Sequence, residues 1–174
     1  QAAPGGPPAG LRLRRTNLSA LDIELYQLDD AALLRALAFS DDDWAGFQPE
    51  RYGQKRLRAW RMPLSDPLNT PVDDRLPLAT DAGAPLPAGA YYLRVRTLEG
   101  PRADVLLLVS RARLALQFVQ PADTGAALVW ATDIITGTPL AGLPVALYQG
   151  GALVQQATTD AQGLARFGAL SGPA

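Results

Sequence analysis

The sequence predicts an all-β protein built as two consecutive β-sandwiches, residues 11–111 and 112–174, behind a flexible lead-in over residues 1–10. Three observations predict it. Apolar runs of about four to eight residues recur along the chain, divided by Gly, Pro, Asp and Asn clusters that reverse its direction. Many of these runs alternate apolar with polar residues, the period of a half-buried strand. The 16 glycines and 15 prolines among 174 residues suit many short strands joined by tight turns.

In order along the chain, Gln1 to Gly10 is a Pro/Gly/Ala segment without periodicity, read as a flexible lead-in. Leu11-Arg12-Leu13-Arg14 is a short half-buried strand. Leu21, Ile23 and Leu25 alternate with Asp22, Glu24 and Tyr26 in a stronger one. Asp29-Asp30 can cap a short helix in which Leu33, Leu34 and Leu37 share a face. A helix this short must pack on a sheet to persist. Gln54 to Leu64 alternates as a third strand, with Trp60 facing the core and arginine stems along the sheet edge. Arg75 to Thr80 is a fourth. Pro87-Ala88-Gly89 turns into a fifth, which alternates through Tyr91, Leu93 and Val95. Ala103 to Ser110 is almost continuously apolar, as in a central strand buried on both faces. Six strands, with room for a weak seventh, are the size of one β-sandwich.

Arg111 to Arg113 holds no breaker, so a short, stiff link is expected there. Leu114 to Val119 opens the second domain, and Pro121 to Gly125 turns it. Val129 to Ile135, Pro144 to Tyr148, Ala152 to Thr158 and Leu164 to Phe167 follow. With only about five strands before Ser171-Gly172-Pro173-Ala174, the second sandwich is expected to be incomplete, part of a longer protein.

Composition narrows the chemistry. A net charge of −1 argues against a nucleic-acid binder. The chain has neither cysteine nor histidine, so thiol chemistry, disulfides and the commonest general base and metal ligand are missing. Its serines therefore lack the base that usually activates them. Asp41-Asp42-Asp43 could suggest calcium, but a calcium site needs about six or more oxygens around a turn, and a solvated loop or second cap is the plainer reading. Asp133 and Asp160 could be imagined as a carboxylate pair. Both sit at turns, where aspartate accepts from nearby backbone amides. No catalytic, cofactor-binding or metal residue is assigned. Trp44, Trp60, Trp130, Tyr91 and Tyr92 are candidate binding aromatics. Adjacent on one strand, Tyr91 and Tyr92 face opposite sides, one expected in the core and the other partly exposed.

One pattern is more specific. Val129-Trp130-Ala131-Thr132-Asp133 is followed by Thr136-Gly137, Pro139, Gly142, Pro144-Val145, Leu147-Tyr148 and Thr159-Asp160-Ala161-Gln162-Gly163-Leu164-Ala165. It resembles a macroglobulin-like domain of the bacterial alpha-2-macroglobulins, which read V-W-V-T-D-L-x-T-G-x-P-V-x-G-A-x-V-x-L-Y and later T-D-A-D-G-L-A. Ala131, Leu143-Pro144 and Gln162 are the departures. Leu25-Tyr26-Gln27-Leu28-Asp29, Leu33-Leu34 and Leu86-Pro87-Ala88-Gly89-Ala90-Tyr91 resemble the domain that precedes it in that family.

The resemblance implies two immunoglobulin-like (macroglobulin-like) sandwiches serving as non-catalytic scaffold in a broad-spectrum protease trap. It implies proteases and neighbouring macroglobulin-like domains as partners, and no cofactor. It also implies an extracytoplasmic location, periplasmic or cell-surface, with any membrane attachment through an anchor outside this fragment. Many members carry a thioester in a Cys-x-Glu-Gln motif, which a chain without cysteine cannot hold. The alternative is a stalk or adhesion repeat of a bacterial cell-surface protein.

Overall fold

A computed structural model describes residues 10–38, 46–98, 100, 102–118 and 126–168. Asp41-Asp42-Asp43, Trp44, most of the lead-in and the Pro121–Gly125 turn lie outside them. The chain forms two compact units, residues 1–109 and 110–174.

The first unit contains β1 (Gly10–Arg15), β2 (Ala20–Leu28), α1 (Asp30–Leu37), a 3-10 turn (Pro49–Tyr52), β3 (Arg56–Pro63), β4 (Val72–Pro77), β5 (Gly89–Thr97) and β6 (Arg102–Val109). Its strands make a four-stranded antiparallel sheet, β3-β2-β5-β6, and a two-stranded ribbon, β1-β4. Alternation decides which face is apolar. Leu21, Ile23 and Leu25 of β2 and Tyr91, Leu93 and Val95 of β5 point to one side, where they pack with Leu76 of β4 and with Leu11 and Leu13 of β1. That is the sandwich core.

A second cluster covers one end of the opposite face: Tyr26, Leu28, Ala90 and Tyr92 from the sheet against Ala32 and Ala36 of α1 and Phe47. The helix starts where Asp29 Oδ1 accepts from the Ala32 amide at 2.8 Å, and Gln54 Nε2 braces the other carboxylate oxygen at 2.9 Å. Three expectations change because of this cover. The buried face of α1 is the small one, Ala32 and Ala36, while Leu37 is 56% exposed. Alanine lets the helix backbone lie close to the tyrosines, while Leu33 packs half-buried against the same cluster and Leu34 is half-buried. Tyr91 and Tyr92 do face opposite sides, but both are buried, at 0% and 1% exposure, because the second face is roofed there. The strand with both faces buried is β5. The apolar run β6 lies at the margin of the sheet, with Leu108 at 67% exposure.

Trp60 is half-buried against the core cluster, and its ring carries the Arg58 guanidinium at 4.3 Å. A bulge, at which Leu25 pairs with Arg58 and Tyr26 with Arg56, lets Leu57 reach the same core.

The second unit contains β7 (Ala112–Phe118), β8 (Ala127–Asp133), β9 (Pro144–Gln149), β10 (Ala152–Thr158) and β11 (Leu164–Phe167). They form a three-stranded sheet, β11-β8-β7, and a β9-β10 hairpin. Ala127 and Val129 of β8 and Ala165 and Phe167 of β11 pack against Val145, Leu147 and Ala157 of the hairpin. The strand expected to reach Ile135 ends at Asp133, and both Ile134 and Ile135 are exposed in the turn that follows.

Candidate functional site

Two side-chain clusters use the polar residues that could have carried chemistry. The first lies on the helix-bearing face of the four-stranded sheet. Register sets Glu24 of β2 opposite Arg94 of β5, and Arg94 opposite Asp104 of β6. Arg94 is buried. Its Nη1 donates to Glu50 Oε1 at 2.7 Å, to Glu24 Oε2 at 3.2 Å and to the Tyr26 hydroxyl at 3.5 Å. Arg56 holds the other oxygen of Glu24 at 2.6 Å, and the Tyr26 hydroxyl donates to Glu50 at 2.5 Å. The guanidinium also lies 5.4 Å from the Tyr26 ring centre. Arg94 Nε and Asp104 Oδ1 face each other at 3.9 Å, and neither has a hydrogen-bond partner.

Electrostatics fix the protonation of this cluster. Partial burial would raise Glu50, but hydrogen bonds from Arg94 and Tyr26 outweigh it and hold the carboxyl at about 2. Glu24 is likewise lowered: burial opposes the shift, and hydrogen bonds from Arg56 and Arg94 overcome it. Tyr26 is pushed up, first by burial and then by its bond to Glu50 and the charge of Glu24. At neutral pH the cluster therefore holds charged carboxylates, a charged guanidinium and a neutral phenol. General acid–base work needs a group that titrates near the working pH, and Glu24, Glu50 and Tyr26 are all driven away from it. What the arrangement does is tie the 3-10 turn and three strands together through one cation.

The second cluster is the turn lattice of the second unit. Asp133 Oδ1 accepts from the amides of Ile135 at 2.8 Å and Thr136 at 3.0 Å, and Oδ2 accepts from Arg111 at 3.0 Å. Those backbone bonds hold its carboxyl below the usual range. Asp160 accepts from the amides of Gln162 and Leu164, each at 2.9 Å, and from Arg166 at 3.0 Å. It too is held low, chiefly by the Leu164 amide. The buried Thr159 hydroxyl donates to the Leu140 carbonyl at 2.6 Å and accepts from the Leu143 amide at 2.9 Å. Gly163 sits at φ +76°, and a Cβ there would meet the Ala131 carbonyl oxygen and the Leu140 amide. This cluster shapes backbone. Asp133 and Asp160 each serve a separate turn and do not face each other as a catalytic pair.

Of the candidate aromatics, Tyr91 and Tyr92 belong to packing, and Tyr91 donates to the Pro87 carbonyl at 2.8 Å. Trp130 is different. It is 48% exposed beside a shallow hollow of about 300 Å³ lined also by Arg113, Ala115, Thr132 and Gly137. Among the described residues no group of three or more His, Cys, Asp or Glu side chains is placed to hold a metal ion. No helix among them is long and apolar enough to cross a membrane. Sequence reasoning missed Glu50, Arg94 and Asp104 as one cluster. The signal was the opposite charges of Glu24 and Arg94, visible only once the β2–β5 register is known.

No protein-family model matches the chain, and no curated protein matches it. Solved structures do. Native alpha-2-macroglobulin from Escherichia coli, in a crystal structure spanning its NIE and MG1 domains, superposes with a TM-score of 0.65 at 17% identity, covering 92% of this chain and 81% of that one. A longer crystal structure of the same protein, spanning MG0, NIE and MG1, gives 0.66 at 19% identity over 92% of this chain and 53% of that one. The Salmonella alpha-2-macroglobulin Y1175G mutant gives 0.63 at 21% identity over 92% of this chain, but only 9% of the Salmonella chain is spanned. The fold is thus that of N-terminal domains of bacterial alpha-2-macroglobulins.

Proposed function

We propose that this chain is non-catalytic scaffold from a bacterial alpha-2-macroglobulin, a broad-spectrum protease trap working outside the cytoplasm. The observation that carries the reading is order along the chain: a structure named for two successive domains, NIE then MG1, is matched over 92% of this chain. On this reading residues 11–111 would correspond to NIE and residues 112–174 to MG1. The clusters of the two units support a scaffold role, because the carboxylates that could have acted as acids or bases brace turns and strands instead. The role is mechanical: each unit is a rigid spacer in a larger chamber that closes on a protease, and neighbouring macroglobulin-like domains are its immediate partners.

The test uses the full-length protein. Incubated with several proteases, it should suppress cleavage of large protein substrates while sparing small peptide substrates, because a trapped protease keeps its active site. Equal loss on both, or loss on neither, would refute trapping. The half-exposed Trp130 beside its hollow is the one feature that favours the stalk or adhesion reading. A full-length sequence made of similar repeats would support that reading.

A further inference from the structure

The helix-bearing face of the four-stranded sheet is roofed at one end only. There α1 and Phe47 cover Tyr26 and Tyr92, and the Arg94 cluster fills the next row. Beyond it, register lines up Arg61 of β3, Asp22 of β2, Arg96 of β5 and Arg102 of β6 in one row across the sheet. Asp22 is the carboxylate of that row, and it pairs with Arg61 at 3.7 Å. Glu24, Glu50 and Asp104 are each held by Arg94, with Arg56 also on Glu24 and Arg102 3.8 Å from Asp104. Arg96 is exposed and has no ion-pair partner among the described residues. It stands directly opposite Arg102, whose side chain is 43% exposed. Like charges opposed on neighbouring strands destabilise a sheet, so folding alone gives no reason for this pair. Beside Arg96 lies an open hollow of about 460 Å³, lined also by Asp22, Glu24 and Ala59.

We propose that this row receives an extended peptide segment of a partner protein, with one Asp or Glu side chain clamped between Arg96 and Arg102. The argument for that occupant is complementarity to both signs of charge. Two guanidinium forks on opposed positions offer a carboxylate charge-assisted hydrogen bonds, and its charge cancels their mutual repulsion. In the adjoining hollow, Asp22 and Glu24 accept hydrogen bonds, and a peptide brings backbone N–H groups that donate them. An anionic bilayer or a polyphosphate presents dense negative charge without those donors, so the same two carboxylates repel it. The proposal goes beyond the protease-trap reading and does not rest on it.

The experiment is fluorescence anisotropy of a labelled peptide alternating glutamate and glycine, titrated with the 174-residue chain. The expected result is saturable binding that the matching glutamine peptide lacks. It should weaken as salt rises past about 0.1 M, where screening acts within about 10 Å. Arg96→Gln and Arg102→Gln should each lower affinity about five-fold, the scale of one exposed ion pair. Arg14→Gln, an exposed change of equal charge on β1, should leave binding as it was. Arg96→Gln should not lower the melting midpoint of the first unit, because it removes a like-charge contact. Four results would overturn the proposal. One is no binding of the glutamate peptide. A second is equal weakening by Arg14→Gln, which marks diffuse attraction to net charge. A third is tighter binding to polyphosphate or to phosphatidylglycerol vesicles than to the peptide, which assigns the row to a phosphate-bearing partner. The last is a clear loss of stability in Arg96→Gln, which makes the arginine part of the fold.

Discussion

Arg94→Met is the sharpest perturbation of the first unit, because the single guanidinium faces carboxylates on three other elements. Methionine keeps the aliphatic stem and removes the charge. Two of the three carboxylates tolerate the loss: Glu24 retains Arg56 at 2.6 Å, and the Glu50 side chain is 49% exposed and can rehydrate. Asp104 tolerates it least, since its side chain is 5% exposed and keeps only Arg102 at 3.8 Å and a hydrogen bond from Tyr92. Removing one partner of a buried ion pair costs about 3–5 kcal/mol, and the two relieved carboxylates place this case near about 3 kcal/mol. With an m-value of about 1.5 kcal/mol/M in urea, the midpoint should fall by roughly 2 M. The chain has two units, so urea unfolding is read by hydrogen exchange with peptide-level resolution, which separates residues 10–109 from the rest. The second unit should not move. Arg94→Met with Asp104→Leu removes both buried charges and should recover most of the loss, because the penalty arises from the orphaned group. A single variant costing under about 1 kcal/mol, or a double variant no better than the single, would refute the reasoning.

Other consequences concern acid and the turn lattice. Glu50 is lowered from its ordinary 4.5 to about 2, so the stability it contributes is complete above its unfolded-state value and is lost as pH falls from there towards 2. Allowing for its half exposure the loss is about 1 kcal/mol, and Glu50→Gln should flatten acid titrations of first-unit stability between those limits. Gly163→Ala should cost about 3 kcal/mol in thermal or urea melts of the second unit, from strained backbone and a blocked approach to Ala131. Gly137→Ala, at a similar φ of +71° but with open space around it, should cost only about 1 kcal/mol, so equal losses would count against the close-approach argument. Thr159→Val leaves the Leu140 carbonyl and Leu143 amide without the hydroxyl and should cost about 2 kcal/mol by the same melts, whereas Thr159→Ser should cost much less.

Much of this fold was legible because its turns are chemically explicit. Gly89 at the start of β5 and the Asp160–Gly163 turn before β11 break the chain so plainly that strand positions follow within a few residues. The likeness of the second unit rested on those same turns, and the hydrogen bonds of Asp133, Thr159 and Asp160 explain why such residues recur. Burial was harder to read. Alternation along β5 marks two faces, but a helix packed over Tyr92 buries the second face as well, and only tertiary structure reveals that roof. For the same reason the apolar run of β6 suggested a central strand, although its place in the sheet is marginal. In α1 the leucines outweighed the alanines by hydrophobicity, yet close approach to the sheet selected the smaller side chains. The Arg94 cluster stayed hidden because Glu24, Glu50, Arg94 and Asp104 are scattered along the sequence and each reads alone as a solvated charge.

The central claim is that this chain contributes architecture and no chemistry of its own. The most direct measurement is protease inhibition by the isolated 174-residue chain, with full-length protein as reference. The account predicts that the isolated chain suppresses no protease on either large or small substrates at any molar ratio, while the full-length protein suppresses cleavage of large substrates only. Inhibition by the isolated chain would contradict it.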